Sequence, residues 1–271
     1  MTARHALSRA LLLAAFALAP AARAAMPVFP ESAPPELFGR VILDAASSKN
    51  GMAPAVFDHW RHRAVFSCRL CHIDVGFAMQ AGASGIARAS NAAGLHCGAC
   101  HDGKRTLGGK TVFAACTPAG AAKPGEPCAR CHADGGRDRA RAEYLALSDR
   151  LPTYGGGYID WERAEERALV KPIDLLEGVS IVRPAMKLDR DVPIEVKGSW
   201  IGGVTFSHRK HAVWNGCEVC HPEIFPVTKA GSVRFSMADV RAGRYCGACH
   251  RSVAFPLSLC QRCHRRGPFG G

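Results

Sequence analysis

The sequence predicts a duplicated chain, two related domains that are each organised around something other than their own apolar side chains. Of 271 residues only 7% are aromatic, whereas 13 are Cys and 12 are His, so bulky core side chains are scarce and ligating ones abundant. The 48% hydrophobic content overstates the core, because it counts those cysteines and an Ala/Leu-rich N-terminus. The duplication shows in the register: His59 and His208, His62 and His211, Cys68 and Cys217, Cys71 and Cys220, Cys97 and Cys246, and Cys100 and Cys249 are each 149 positions apart. Phe57 and Phe206 share that offset, and Cys97-Gly98-Ala99-Cys100-His101 returns as Cys246-Gly247-Ala248-Cys249-His250.

Residues 1–24 read as an export leader: Arg4 and Arg9 precede the apolar run Ala10–Ala19, and Ala22-Arg23-Ala24 is a small-x-small cleavage site. The run is about half the ~20 residues a membrane helix needs. No Cys adjoins the cleavage site to carry a lipid, and no later stretch is apolar enough to span a bilayer. The expectation is a soluble mature protein beginning near Ala25, in the periplasm, with the outer cell surface left open. The formal charge of +12 invites a nucleic-acid reading, against which export counts.

Six times the chain reads Cys-x-x-Cys-His: Cys68/Cys71/His72, Cys97/Cys100/His101, Cys128/Cys131/His132, Cys217/Cys220/His221, Cys246/Cys249/His250 and Cys260/Cys263/His264. An isolated Cys pair would suit zinc or a disulfide equally well, but neither requires His after the second Cys. Covalent haem does: two thiols reach two vinyl groups of one porphyrin, and the next residue brings an imidazole to the iron. Six haem c groups are therefore expected. Loss of Arg4, Arg9 and Arg23 leaves the mature chain at +9, which up to twelve propionates would turn to roughly −3. The basic excess reads as counter-charge for the cofactor.

Along the chain, Val41–Asp44 is an ambiguous apolar run. The third motifs lie 132 apart rather than 149, so the first half carries 17 extra residues, expected as a loop in the Gly/Pro/Ala-rich stretch Leu107–Pro127. Asp160 is placed to cap a helix through Trp161–Leu169. Val192–Val196 and Trp200–Phe206 suit a hairpin entering the second His-x-x-His. The expected organisation is a leader at 1–24, one three-haem domain at 25–140, a connector at 141–190 and a second three-haem domain at 191–271.

Phe-x-His-x-x-His followed by three Cys-x-x-Cys-His motifs, over Phe57–His132 and again over Phe206–His264, resembles the triheme cytochromes c7, shortened relatives of tetraheme cytochrome c3. The resemblance implies tandem c7-like domains that are mostly irregular, with short helices and short β-hairpins wrapped around close-packed haems. It also implies that His59 and His62 serve the first and second haems, and His208 and His211 the fourth and fifth. For the third haem it points to the stretch between the first two motifs, which offers His96 and Met79. In the second half Tyr245 stands where His96 would be, leaving Met237 as the candidate for the sixth haem and Met186 as a poorer one. Any single spare His would also suit a surface or propionate-bonding role, and either Met ordinary packing. Cys116 belongs to no motif and is given no role.

Six haems with six motif histidines need six further ligands, and His59, His62, His96, His208 and His211 supply five. So nearly complete a set points to a carrier passing single electrons between redox proteins, with no catalytic residues. The rival is a multihaem reductase acting on an oxyanion, nitrogen oxide or metal ion at one open iron, for which the sixth haem is the place. Lys in place of a motif His, a marker of a catalytic haem, is absent. A zinc scaffold is a third class. Redox partners are implied, nucleic acid and a membrane span are not, and association with a membrane or surface redox complex is left open.

Overall fold

The computed structural model describes residues 32–116, 126–133, 136–184, 190–194, 196, 202–226 and 231–264. The expected leader, Met186, part of the Leu107–Pro127 loop and the Trp200 end of the second hairpin strand lie outside these. In chain order the elements are β1 (Arg40–Leu43), β2 (Ala55–Asp58), α1 (His59–Arg63), α2 (Arg88–Ala92), β3 (Thr106–Leu107), β4 (Lys110–Thr111), α3 (Glu126–Ala129), α4 (Arg137–Ser148), α5 (Trp161–Glu166), β5 (Asp191–Ile194), β6 (Val204–Ser207), α6 (His208–Asn215), α7 (Met237–Arg241) and α8 (Gly247–His250). Most of the described residues lie in turns and loops, as the resemblance implied.

Both repeats open identically. The run at Val41 becomes a strand because β2 pairs with it, Arg40 opposite Asp58 and Leu43 opposite Ala55. In the second repeat β5 pairs with β6, Asp191 opposite Ser207 and Ile194 opposite Val204, which is the expected hairpin. In each case the second strand runs directly into a helix whose first residue is a histidine, His59 on α1 and His208 on α6. The tiny β3–β4 hairpin lies where the first repeat has extra residues.

Asp160 caps α5 as expected, its carboxylate accepting from the Arg163 N–H at 3.0 Å. The helix ends at Glu166, short of the expected Leu169, because Ala168 takes a left-handed conformation (φ 55°). The N–H groups of Leu169 and Val170 then both turn back to the Ala164 carbonyl, and Val170 is buried.

The main apolar core joins the two repeats through the segment between them. Trp60 of the first repeat and Trp214 of the second are buried with Tyr144, Ile159, Trp161, Ala164 and Val170 of the connecting segment. Trp161 meets Trp214 at 6.3 Å and Trp60 meets Tyr144 at 5.3 Å, both edge to face. The Tyr144 hydroxyl donates to the Gly157 carbonyl at 2.9 Å and accepts from the Ile159 N–H at 3.1 Å, so its polar end is satisfied. A smaller cluster packs Phe66 and Leu70 on Leu176.

Ion pairs reinforce the join. Asp74, with no side-chain exposure, lies 2.8 Å from Arg183 and 3.7 Å from Arg69. Arg69 reaches Asp174 at 2.7 Å, and Arg183 reaches Glu218 of the second repeat at 2.5 Å. From α5, Glu162 pairs with both Lys210 and Arg262.

Because Trp214 is only 6% exposed, Trp214→Ala is expected to cost about 3–5 kcal/mol. Chemical denaturation of the haem-loaded protein, followed by tryptophan fluorescence and by the Soret band, checks this.

A cavity lined by paired imidazoles

The attachment motifs are single helical turns. The N–H of His101, His132, His221, His250 and His264 each donates to the carbonyl of its own motif's first Cys, at 2.8, 2.8, 3.0, 2.9 and 2.9 Å. Positions i, i+3 and i+4 of such a turn share one face, so both thiols and the imidazole point the same way. In the first motif the turn widens to a π-helical one, Leu70–Asp74. None of the 13 cysteines is in a disulfide.

The second motif of each repeat explains its own glycine. A Cβ on Gly98 would lie 1.8 Å from the Asn91 carbonyl oxygen at the end of α2, and one on Gly247 would lie 1.9 Å from that of Val240 on α7. Only glycine lets the short helix press this closely on the attachment turn. α7 itself begins with a capping box, in which the Ser236 hydroxyl accepts from the Asp239 N–H and the Asp239 carboxylate accepts from the Ser236 N–H.

His59 and His62, three apart on α1, face two different motif histidines. The His59 and His72 rings are 6.4 Å apart between centroids and nearly parallel, at 7°. His62 and His101 are 6.2 Å apart at 64°, and in the second repeat His211 and His250 are also 6.2 Å apart at 64°. Two imidazoles on opposite faces of one metal, with metal–nitrogen bonds of about 2.0 Å and about 1.1 Å more to each ring centre, have centroids about 6.2 Å apart. Phe57 stacks on His62 at 4.4 Å and meets His59 edge-on at 4.9 Å. Phe206 does the same for His211 at 4.3 Å and His208 at 4.9 Å. Among the described residues no ring contact joins His208 to His221.

Most of these rings have one nitrogen already committed. Nδ1–H donates to a backbone carbonyl in His59 (Gly39, 2.5 Å), His72 (Phe77, 2.9 Å), His132 (Ala53, 2.7 Å), His208 (Arg190, 2.9 Å), His211 (Ser207, 2.8 Å), His221 (Phe225, 2.6 Å) and His264 (Gly202, 2.8 Å). A carbonyl can only accept, so Nδ1 carries the proton and Nε2 keeps its lone pair for a metal. Burial also keeps the rings neutral: it pushes His62 down to about 4 and His250 down to about 3, with the facing imidazoles adding to the effect. His59, His72, His101 and His211 are lowered for the same primary reason. Burial likewise pushes the thiols of Cys71 and Cys249 up to about 12 and those of Cys97 and Cys246 up to about 11.

A cavity of about 1170 Å³ runs through both repeats, bounded by His59, His62, His72, His101, His211 and His250 and by attachment cysteines of each repeat. It exceeds the roughly 300–1,000 Å³ of one small-molecule site. His96 and Met79 line it too. His96 packs on Phe77 at 5.5 Å, with Nδ1 3.4 Å from the Ser90 hydroxyl, and is not one of the paired rings. Its counterpart Tyr245 shares its left-handed backbone, φ 52° against 50°, and stacks on Phe235 at 4.9 Å. Met237 begins α7, 39% exposed and outside the cavity wall. Cys116 lies within reach of the Asn91 amide, at 3.9 Å.

Phe113, 4.5 Å from His101, and Phe255, 4.2 Å from His250, are part of the site that sequence reasoning did not single out. Their only signal is an aromatic residue some way downstream of each second motif, at unequal distances.

Flat gaps between neutral imidazoles, each beside thiols on one turn, fit haem and not a bare ion. Among the described residues no three His, Cys, Asp or Glu side chains converge as a metal cluster. These features define a multihaem c-type cytochrome with covalently bound haem c, and such groups supply one-electron chemistry at iron. The family model described as cytochrome c7 and related cytochrome c matches residues 55–133 and 204–265, more than half of the chain, which belongs to that family. Among solved structures it is similar to a c7-type three-heme cytochrome domain, 34% identical, covering 30% of this chain and 99% of that one, with a TM-score of 0.26. It is also similar to a dodecaheme cytochrome c, 20% identical, covering 83% of this chain and 74% of that one, with the same TM-score of 0.26. No curated protein matches the chain.

His62→Ala is expected to leave the group attached at Cys97 and Cys100 with a free axial position. Reduced protein should then bind carbon monoxide at one site where the wild type does not, with an unchanged haem content.

Proposed function

We propose that the chain is an exported hexahaem cytochrome that hands single electrons between redox proteins and transforms no substrate. The observation that carries this reading is the cavity shared by both repeats, with paired neutral imidazoles along its wall. An iron held between two imidazoles has no position for a substrate, and haems sharing one cavity are close enough to exchange electrons. The six motif histidines His72, His101, His132, His221, His250 and His264 are the proximal ligands. His59, His62, His208 and His211 are the opposite ligands of the first, second, fourth and fifth haems. His96 or Met79, both on the cavity wall, serves the third. The leader at residues 1–24 supports export to the periplasm, and among the described residues no helix is long and apolar enough to cross a membrane.

Met237 is the proposed thioether ligand of the sixth haem, at Cys260, Cys263 and His264. A thioether favours ferrous iron, so this haem would have a raised potential. The exposed position of Met237 outside the cavity wall favours the second reading, a reductase in which that iron is open to a small oxyanion, nitrogen oxide or metal ion.

Intact-mass measurement on protein matured with a c-type haem assembly system should give six haems on a chain cleaved after Ala24; four or fewer would overturn the hexahaem assignment. Met237→Ala should abolish a His/Met charge-transfer band and create a carbon monoxide site in the reduced protein. A wild type that already holds a high-spin haem, unchanged by this substitution, would favour the reductase.

A further inference from the structure

Helix α1 ends on Arg63, at the point where the two repeats meet. Its guanidinium lies between the rings of Trp161, 5.0 Å away, and Trp214, 4.9 Å away. One terminal nitrogen donates to the carbonyls of Val253 and Ala254 in the second repeat, at 3.2 and 3.1 Å. Those two residues in turn donate their own N–H groups to the Cys249 carbonyl, at 2.8 and 2.9 Å, so Arg63 is tied to the fifth attachment turn. The Nε is buried with no hydrogen-bond partner, and the side chain lines the cavity.

Among the described residues no side-chain carboxylate pairs with Arg63, whose electrostatic neighbours are Cys68, Cys249 and Tyr154. Other cations at this junction are balanced: Arg262 and Lys210 share Glu162, and Arg69 is held by Asp174. The charge is also unsymmetrical, because Ala212 stands at the equivalent position of the second repeat. Arg63 stands one helical turn after His59 of the first imidazole pair, and through Val253 and Ala254 it is held against the turn that carries His250 of the third. A guanidinium does not deprotonate in proteins, so the charge is permanent. In a desolvated setting it acts over a longer range than at the surface.

We propose that Arg63 sets the redox potentials at the junction of the repeats: its buried charge makes the haems attached at Cys68/Cys71 and Cys246/Cys249 the high-potential pair among those with two imidazole ligands. Each takes one electron from a donor protein as ferric iron becomes ferrous, and the form with one positive charge fewer is the one a neighbouring cation favours. Electrons passing from one repeat to the other would then cross through this pair. This rests on the hexahaem reading above.

The test is a potentiometric titration of the holoprotein, with haem methyl NMR signals followed individually, on wild type, Arg63→Gln and Arg63→Lys. Haem content by intact mass is measured on the same samples. Arg63→Gln should move two potentials downward and leave the others in place, while Arg63→Lys should keep all of them. Val253→Glu, which sets a carboxylate beside the guanidinium without removing it, should lower the same two and serves independently if Arg63→Gln assembles poorly. Unmoved potentials in fully loaded Arg63→Gln or Val253→Glu, or equal shifts in the Lys and Gln variants, would overturn the proposal. Fewer than six haems in the wild type would instead overturn the reading beneath it.

Discussion

An imidazole binds a metal only through a nitrogen that carries no proton, and in most of these rings the backbone has already decided which nitrogen that is. Main-chain carbonyls hold Nδ1–H in His59, His72, His132, His208, His211, His221 and His264. That constraint orients those seven rings and leaves their Nε2 free. The scarcity of bulky side chains then makes sense. The chain does not fill its own interior, and it folds largely as turns because its elements need only hold ligands around a flat group. The strand-to-helix entry that carries each His-x-x-His is the most regular piece in either repeat, and the packing of Phe57 and Phe206 on the two histidines shows what that regularity positions.

The joining of the repeats follows a different logic. Duplication would give two equivalent halves touching wherever their surfaces allowed. Here the core tryptophans are not equivalents of each other: the offset places Arg209 opposite Trp60 and Val65 opposite Trp214. Each repeat has specialised one side of its first helix, and the segment between them supplies the remaining core residues. The outcome is one shared cavity in place of two, with Arg63 at the seam.

How much of this was readable in the sequence divides along the same line. The Cys-x-x-Cys-His motifs were legible as motifs, and the hairpin ahead of the second His-x-x-His was legible from its apolar runs, whereas Val41–Asp44 became a strand only through its pairing with β2. The Asp160 cap was read from its side chain, but the early end of α5 depends on Ala168 turning left-handed so that Val170 can be buried, which no local pattern announces. The carbonyls that fix the histidines are main chain and leave no letter in the sequence. Tyr144, Ile159, Trp161, Ala164 and Val170 follow no single period, so the core of the connecting segment gave no signal either. For the third and sixth Cys-x-x-Cys-His motifs a count of spare ligands offered names, His96, Met79 and Met237, without a geometry that pairs any of them with a motif histidine.

The central claim is that opposed imidazoles across the cavity are axial ligands of low-spin haem iron. Low-temperature EPR combined with near-infrared magnetic circular dichroism on the oxidised protein tests it most directly, since the two together count bis-imidazole, imidazole–thioether and high-spin haems. At least four bis-imidazole haems are expected, those of His59, His62, His208 and His211. A spectrum dominated by high-spin iron, or a protein that holds zinc and no haem, would contradict it.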